Sequence, residues 1–100
     1  MDRDGDIARV KKVILDGLKR FKPAVQIEQS PTSGSLHVWV ISDAFEKYSD
    51  FKRMDIVGQV LEKALANDPV YPNITRLFPL TKEEFVEDEI HKIFHRNKQI

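Results

Sequence analysis

Apolar residues in the first quarter of the chain recur every three or four positions, which is the spacing of one helix face. They are Ile7, Val10, Ile14, Leu18 and Phe21. Asp4 or Asp6 can cap the start of such a helix, and Pro23 cannot continue it. The pattern therefore predicts a first helix that ends before Pro23.

Two β-strands are predicted next. Residues 24–29 (AVQIEQ) alternate apolar and polar positions, and residues 36–42 (LHVWVIS) are rich in residue types that favour strands. The segment between them, SPTSGS, has the composition of a turn. We therefore expect an antiparallel hairpin.

A second helical stripe follows the break at residues 42–49, SDAFEKYS. Its apolar positions are Phe51, Met54, Val57, Leu61 and Leu65. The two prolines of the segment NDPVYP, at residues 67–72, end this central helix. Residues 74–78 (ITRLF) then predict a short third strand.

The last helix is predicted from a capping box, in which Thr81 and Glu84 satisfy each other's backbone N–H groups. An apolar stripe follows it at Val86, Ile90, Ile93 and Phe94. We expect this stripe to pack against the sheet edge or the first helix of its own chain, or against the same helix of a second copy. The elements together make a two-layer α+β domain.

Length and composition limit the class of protein. We expect residues 1–100 to form a single domain, with a core over about 7–86 and a helical extension over 87–100. The absence of cysteine excludes disulfides, and 16 basic against 16 acidic residues leave no net charge to attract nucleic acid. The lack of cysteine also fits a reducing compartment, so a cytoplasmic location is expected. No apolar run approaches the roughly 20 residues that cross a bilayer, so no membrane partner is expected.

Residues 40–61, VISDAFEKYSDFKRMDIVGQVL, resemble the signature of the BolA-like family. In that signature a hydrophobic strand ends in Ser-Asp, a Phe follows two residues later, and an Arg-His pair opens the central helix. The residues that match are Ser42, Asp43, Phe45 and Arg53. Further matches in the third strand and the last helix are Leu77, Thr81 and Glu84.

The resemblance implies a three-stranded mixed sheet with helices on one face, similar to the class II KH arrangement, in the order α-β-β-α-α-β-α with an extended C-terminal helix. It also implies no enzymatic activity. BolA-like proteins associate with monothiol glutaredoxins, with which they share a bridging two-iron, two-sulfur cluster, and some members bind DNA as regulators. We therefore expect a protein partner, with a monothiol glutaredoxin as the candidate, and a monomer or weak homodimer.

The positions that ligate iron in the family differ in this chain. The histidine that opens the central helix is replaced by Met54, and the histidine before the third strand falls on Asn73. The hairpin loop offers neither cysteine nor histidine. Because iron prefers thiolate or imidazole ligands, we expect no cluster in the family manner and assign no metal or cofactor.

The expected partner-binding residues surround the central helix and the third strand. They are Ser42, Asp43, Arg53, Met54, Asn73 and Arg76. The spacing of Met54 favours a packing role in the apolar face of the central helix. Arg53 projects beside that face, where it contacts either a partner or the solvent, and in the second case Asp50 or Glu46 would pair with it.

A DNA- or RNA-binding regulator is the alternative function, since basic residues accompany the first helix. They are Lys11, Lys12, Lys19, Arg20 and Lys22. A solvated helix face accounts for the same residues, and the Gly-x-x-Gly clamp of KH domains does not occur in the sequence.

The histidines have alternative interpretations as well. Glu87, His91 and His95 share one face of the last helix at a spacing that can hold a divalent metal, but a solvated polar face also accounts for them. On the second strand we expect His37 to be a packed or surface imidazole and Trp39 to belong to the core. No catalytic motif occurs, so binding is the predicted class of function.

Overall fold

The helices and strands are given by a computed structural model that describes residues 3–98, with side chains described for residues 3–90. The longer elements are α1 (Arg3–Gly17), β1 (Ala24–Gln29), β2 (Leu36–Ile41), α2 (Asp50–Leu65), β3 (Ile74–Leu80) and α3 (Lys82–Lys98). Short 3₁₀ helices occupy Lys19–Phe21, Asp43–Lys47 and Tyr71–Asn73. Every element predicted from the apolar pattern is therefore present.

The three strands form one mixed sheet in the order β1-β2-β3. β1 and β2 pair antiparallel from Ala24 opposite Ile41 to Gln29 opposite Leu36, which confirms the hairpin. α2 connects β2 to β3, and β3 pairs with β2 in parallel. When the 3₁₀ helix Asp43–Lys47 is counted before α2, the order is α-β-β-α-α-β-α, and the predicted α+β architecture is confirmed.

Both α1 and α2 pack on one face of the sheet. Alternate residues of β2, which are Leu36, Val38 and Val40, are fully buried in a cluster with residues of both helices. The helix residues in this cluster include Val10, Ile14, Val57, Leu61 and Leu65. Each fully buried aliphatic side chain contributes roughly 1.5–3 kcal/mol, so this layer holds α1, α2 and the sheet together.

Trp39 lies on the opposite face of β2 and is nonetheless buried, with 3% of its surface exposed. Its ring stacks on Phe78 of β3 with 4.9 Å between centroids, and His37 meets it edge-on at 6.4 Å. Trp39 is therefore a core residue, as predicted, and His37 is a half-buried, packed imidazole.

α1 ends earlier than the apolar spacing predicts. The α-helix stops at Gly17, and the 3₁₀ helix Lys19–Phe21 leads to Lys22, whose φ of 47° is left-handed. Phe21 stays buried and its ring stacks on Phe45 with 5.4 Å between centroids. The fully buried Phe45 thus anchors the segment between β2 and α2.

The buried face of α2 differs from the predicted stripe. It consists of Arg53, Val57, Leu61 and Leu65. Phe51 is 84% exposed and Met54 is 43% exposed, so the prediction that both belong to the apolar core face is wrong. Because neighbouring helix positions point about 100° apart, burial of Arg53 turns Met54 toward the solvent.

α3 leaves part of its apolar stripe in contact with the solvent. Val86 is 53% exposed and Ile90 is 61% exposed, so the prediction that the stripe packs on its own chain is wrong for these two residues. Ile93 and Phe94 lie outside the residues whose side chains are described. Packing of the stripe against a second copy stays a prediction.

Candidate functional site

Ser42 is a buried structural residue at the end of β2. Its hydroxyl donates to the carbonyl of Phe21 at 2.6 Å and accepts from the N–H of Ala44 at 3.2 Å, at the start of a 3₁₀ helix. Its own N–H donates to the carbonyl of Leu80 at 2.9 Å. Ser42 therefore joins three chain segments from inside the protein and presents no contact surface.

The Arg53 side chain is also buried, and the residue is only 5% exposed. Its Nε donates to the carbonyl of Tyr48 at 3.0 Å, while Nη1 donates to Glu84 Oε1 at 2.6 Å and to the carbonyl of Pro79 at 3.4 Å. Asp50 Oδ1 is farther away, 3.9 Å from Nη1. The interpretation of Arg53 as a solvated charge is therefore wrong, because these bonds fix α2 against the end of β3.

Glu84 completes this corner at the start of α3. Its carboxylate accepts from the N–H of Thr81 at 2.8 Å, and its own N–H donates to Thr81 Oγ1 at 3.3 Å, which confirms the capping box. The Thr81 N–H, together with the Arg53 guanidinium, holds the pKa of Glu84 below its usual value. The first turns of α2 and α3 are thereby joined through one carboxylate.

Asp43 remains accessible beside this corner. Its Oδ1 accepts from the backbone N–H of Lys82 at 3.1 Å, and Lys82 Nζ lies 4.0 Å from Oδ2. The bond ties the 3₁₀ helix Asp43–Lys47 to the first turn of α3 while leaving the carboxylate exposed. Asp43 can therefore still meet a partner.

Met54 and Arg76 line a groove between α2 and β3, with a volume of about 470 Å³. Other lining residues are Gly58, Leu61, Tyr71, Pro72 and Leu77. A smaller depression of about 170 Å³ continues along β3 and shares Met54 and Leu77. The structure thus brings two of the predicted partner-binding residues together on one elongated, mainly apolar surface.

Phe51 does not line the groove, but it lies one turn before Met54 on α2. Phe51, Met54 and Gly58 follow one another at spacings of three and four, so they share one face of α2. The sequence analysis selected Phe51 and Met54 from this stripe but assigned them to the core face. Its exposure, and the contribution of Tyr71 and Pro72 to the groove, carried no signal in the sequence.

β3 is an edge strand of the described sheet, and its open edge lies beside the groove. The carbonyl of Pro79 points away from β2, since it accepts from Arg53 of α2. Backbone direction alternates along a strand, and β3 is regular after the register shift at Thr75, so the N–H and C=O groups of Leu77 point the same way. The edge therefore presents backbone donors and acceptors, and Pro79, which lacks an N–H, ends that row.

Asn73 adjoins the groove without lining it. Its N–H donates to the carbonyl of Val70 at 2.9 Å and closes the 3₁₀ helix before β3. The residues on either side of it, Pro72 and Ile74, belong to the groove lining. The half-buried Asn73 is thus placed next to the surface that Met54 and Arg76 form.

The donors at the family's ligand positions do not fit an iron–sulfur cluster. Met54 offers a thioether and Asn73 an amide, and the hairpin loop at residues 30–35 offers hydroxyl groups. Iron in such clusters is held by thiolates or imidazoles, for which these groups are poor substitutes. These positions therefore lack the donors that such a cluster needs.

The basic residues predicted for nucleic acid are all exposed. They are Lys11, Lys12, Lys19, Arg20 and Lys22. Lys12 pairs with Asp16 at 3.3 Å. Arg20 lines a depression of about 370 Å³ between α1 and α2 together with Lys52 and Lys63, two cations that the sequence analysis did not select.

Histidine and carboxylate side chains form no metal site in the part of the chain whose side chains are described. Within residues 3–90 no group of three His, Cys, Asp or Glu residues could hold a metal ion. Glu87 is exposed on α3, but the side chains of His91 and His95 lie outside the described residues. The grouping of these three residues stays a prediction.

Comparison with known proteins adds no relative to this picture. No family model matches the chain, and no curated protein matches it. None of the helices within residues 3–98 is both long and apolar enough to cross a bilayer. The groove between α2 and β3 is therefore the feature that supports a functional proposal best.

Proposed function

We propose that this protein is a non-enzymatic, BolA-like interaction module that docks on a partner protein through the groove between α2 and β3. The observation that carries the proposal is an open strand edge beside an apolar groove. Met54 in the groove lining and Phe51 one turn before it add exposed apolar surface. Proteins that leave both features in water risk aggregation, so their combination on one surface supports a protein contact.

The partner that fits this surface presents an extended segment with apolar side chains. The outward N–H and C=O groups of Leu77 can pair with an added strand. Arg76 is exposed and lines the groove, and its positive charge favours a carboxylate in that segment. A monothiol glutaredoxin, which the resemblance suggests, is the candidate partner, in contact without the family's iron ligands.

Of the other residues predicted to bind the partner, two support the groove from inside the protein and two flank it. Ser42 and Arg53 support the groove from inside, because their hydrogen bonds fix the ends of β2, α2 and β3. Asp43 and Asn73 flank the groove and extend the contact with an exposed carboxylate and a half-buried amide. The contact surface proper consists of Met54, Arg76 and their apolar neighbours.

Titration of the ¹⁵N-labelled protein with a purified monothiol glutaredoxin tests this proposal. We expect amide shifts concentrated in the first half of α2 and in β3, and a loss of affinity of about tenfold or more in Met54→Asp and in Arg76→Glu. Leu15→Asp, which makes an apolar-to-acid change at an exposed position of α1, is the control and should bind as the wild type does. Shifts confined to other elements would contradict the docking surface, and absence of binding would exclude glutaredoxin as the partner.

A regulator that binds DNA or RNA is the second candidate, favoured by the depression in which Arg20 meets Lys52 and Lys63. Contacts with phosphates release counterions, so affinity for a duplex would fall steeply as salt concentration rises. Arg20→Glu should then abolish binding to the duplex. Binding that ignores both salt and this substitution would argue against the nucleic-acid function.

We further propose a cytoplasmic location and the absence of a resident cofactor. A chain without cysteine suits a reducing compartment, which supports the location. We also propose that the 100 residues act as one domain, as a monomer or a weak homodimer.

A further inference from the structure

Within the residues whose side chains are described, α3 carries two apolar residues that its own chain leaves more than half exposed. Val86 and Ile90 are 53% and 61% exposed and lie one turn apart on the same helix face. In the sequence, Ile93 and Asn97 follow at spacings of three and four, within the helix that extends to Lys98. These four positions repeat as the inner positions of a two-helix coiled coil do.

Acidic and basic residues are concentrated in different halves of α3. The first half is acidic, with Glu83, Glu84, Glu87, Asp88 and Glu89. The second half is basic, with Lys92, Arg96 and Lys98 beside His91 and His95. A second α3 that runs in the opposite direction would place its basic half against this acidic half, whereas a parallel one would place like charges together.

We propose that α3 is a self-association surface, on which the α3 helices of two copies pair antiparallel. In this arrangement Ile90 of one copy lies beside Ile93 of the other, and Val86 lies beside Asn97. A two-fold axis then relates the two copies, so both contribute the same surface. The inference is independent of the groove between α2 and β3 and adds a second interaction surface to the protein.

The partner of α3 is a second copy of the chain, because the charge pattern of α3 is complementary to that of an α3 helix running in the opposite direction. An unrelated partner would have to reproduce both the apolar stripe and this division of charge. The paired region spans only about two heptads, so the contact area is small and the dimer should be weak and dependent on concentration. Opposite charges at the flanks should also make association weaker at high salt.

Molar mass measured by sedimentation equilibrium over a range of concentrations tests the association. We expect the wild-type chain to approach the mass of a dimer at concentrations up to about 1 mM, and Val86→Asp and Ile90→Asp to remain monomeric. Both residues are largely exposed in the single chain, so the variants should keep the wild-type circular dichroism and thermal midpoint. Leu15→Asp is the matched control on α1 and should associate as the wild type does.

The direction of pairing is tested with introduced cysteines, since the chain has none of its own. Antiparallel pairing separates the two copies of position 86 by about 16 Å along the axis, given the helical rise of about 1.5 Å per residue. Val86→Cys alone should therefore form no disulfide-linked dimer under mild oxidation. An equimolar mixture of Val86→Cys and Asn97→Cys should form the mixed dimer.

Several results would overturn the proposal. A wild-type chain that stays monomeric throughout the concentration range excludes self-association, and an unchanged dimer in both aspartate variants places the contact elsewhere. Efficient disulfide formation by Val86→Cys alone shows parallel pairing. Binding of the wild-type chain, but not Ile90→Asp, to anionic lipid vesicles without any dimer would assign the stripe to a membrane surface instead.

Discussion

The burial of one residue, Arg53, determines which face of α2 packs against the core. Its position beside the apolar stripe of α2 predicted a side chain at the border of the core, in contact with a partner or the solvent. The structure buries it because Tyr48, Pro79 and Glu84 supply acceptors from three different segments. Helical spacing cannot reveal acceptors that are distant in sequence, so the burial of this charge was not predictable.

The carboxylate of Glu84 should make stability depend on pH, and Glu84→Gln tests this. Because hydrogen bonds from Thr81 and Arg53 lower the folded-state pKa of Glu84 below its usual value of about 4.5, ionised Glu84 stabilises the fold above that pH. This stabilisation is lost as the pH falls through the lowered pKa. We therefore expect the wild type to be more stable than the variant at neutral pH, with a difference that shrinks below about pH 4.5.

Urea denaturation at a series of pH values measures this difference directly. Glu83→Gln is the control, since it removes the neighbouring, exposed carboxylate of the same helix turn. It should leave the stability profile close to that of the wild type. A wild-type advantage over Glu84→Gln that persists undiminished in acid would show that the charge of Glu84 has no part in it.

At the scale of the elements, local sequence patterns were sufficient to predict the structure where the stabilising contacts are also local. The β1–β2 hairpin matches the predicted segments closely, since alternation and turn chemistry determine it. The capping box at Thr81 was predictable for the same reason. By contrast, α1 ends at Gly17, and the apolar residues Leu18 and Phe21 reach the core from the turn and the 3₁₀ helix that follow it.

Two helical glycines should respond to alanine in opposite ways, and together they test how closely α1 approaches α2. A Cβ atom built on Gly17 would overlap Cγ1 of Val60, whereas one built on Gly58 has no heavy atom within 4 Å. Valine has little rotamer freedom in a helix, so Gly17→Ala should destabilise the fold by about 1–3 kcal/mol. Gly58→Ala should stabilise it by roughly 0.5–1 kcal/mol through helix propensity.

Thermal and chemical denaturation of both variants would measure these effects. The double variant Gly17→Ala with Val60→Ala removes the overlapping atoms and should recover part of the loss from Gly17→Ala. If Gly17→Ala were as stable as the wild type, α1 and α2 would lie farther apart than the structure places them.

At the scale of the whole molecule, the order of elements was predictable and the contact surface was predictable only in part. Met54 and Arg76 were selected from the sequence and do meet in one groove. β3 has an open edge because it pairs with β2 alone in the described sheet, and this pairing is parallel. Whether α2 covers that edge depends on the whole fold. Neither follows from residue spacing, which explains why Tyr71 and Pro72 were not selected.

The same surface leads to a prediction about metal content. If the chain docks on a monothiol glutaredoxin, the mixture with glutathione should bind no bridging iron–sulfur cluster after anaerobic reconstitution, because Met54 and Asn73 offer a thioether and an amide. Visible absorption of the heterodimer measures this. Met54→His combined with Asn73→His supplies imidazoles at both positions and should gain that absorption. If the wild-type heterodimer holds a cluster that is lost in Asn73→Ala, position 73 is a ligand position after all. Docking and cluster binding would then share one site.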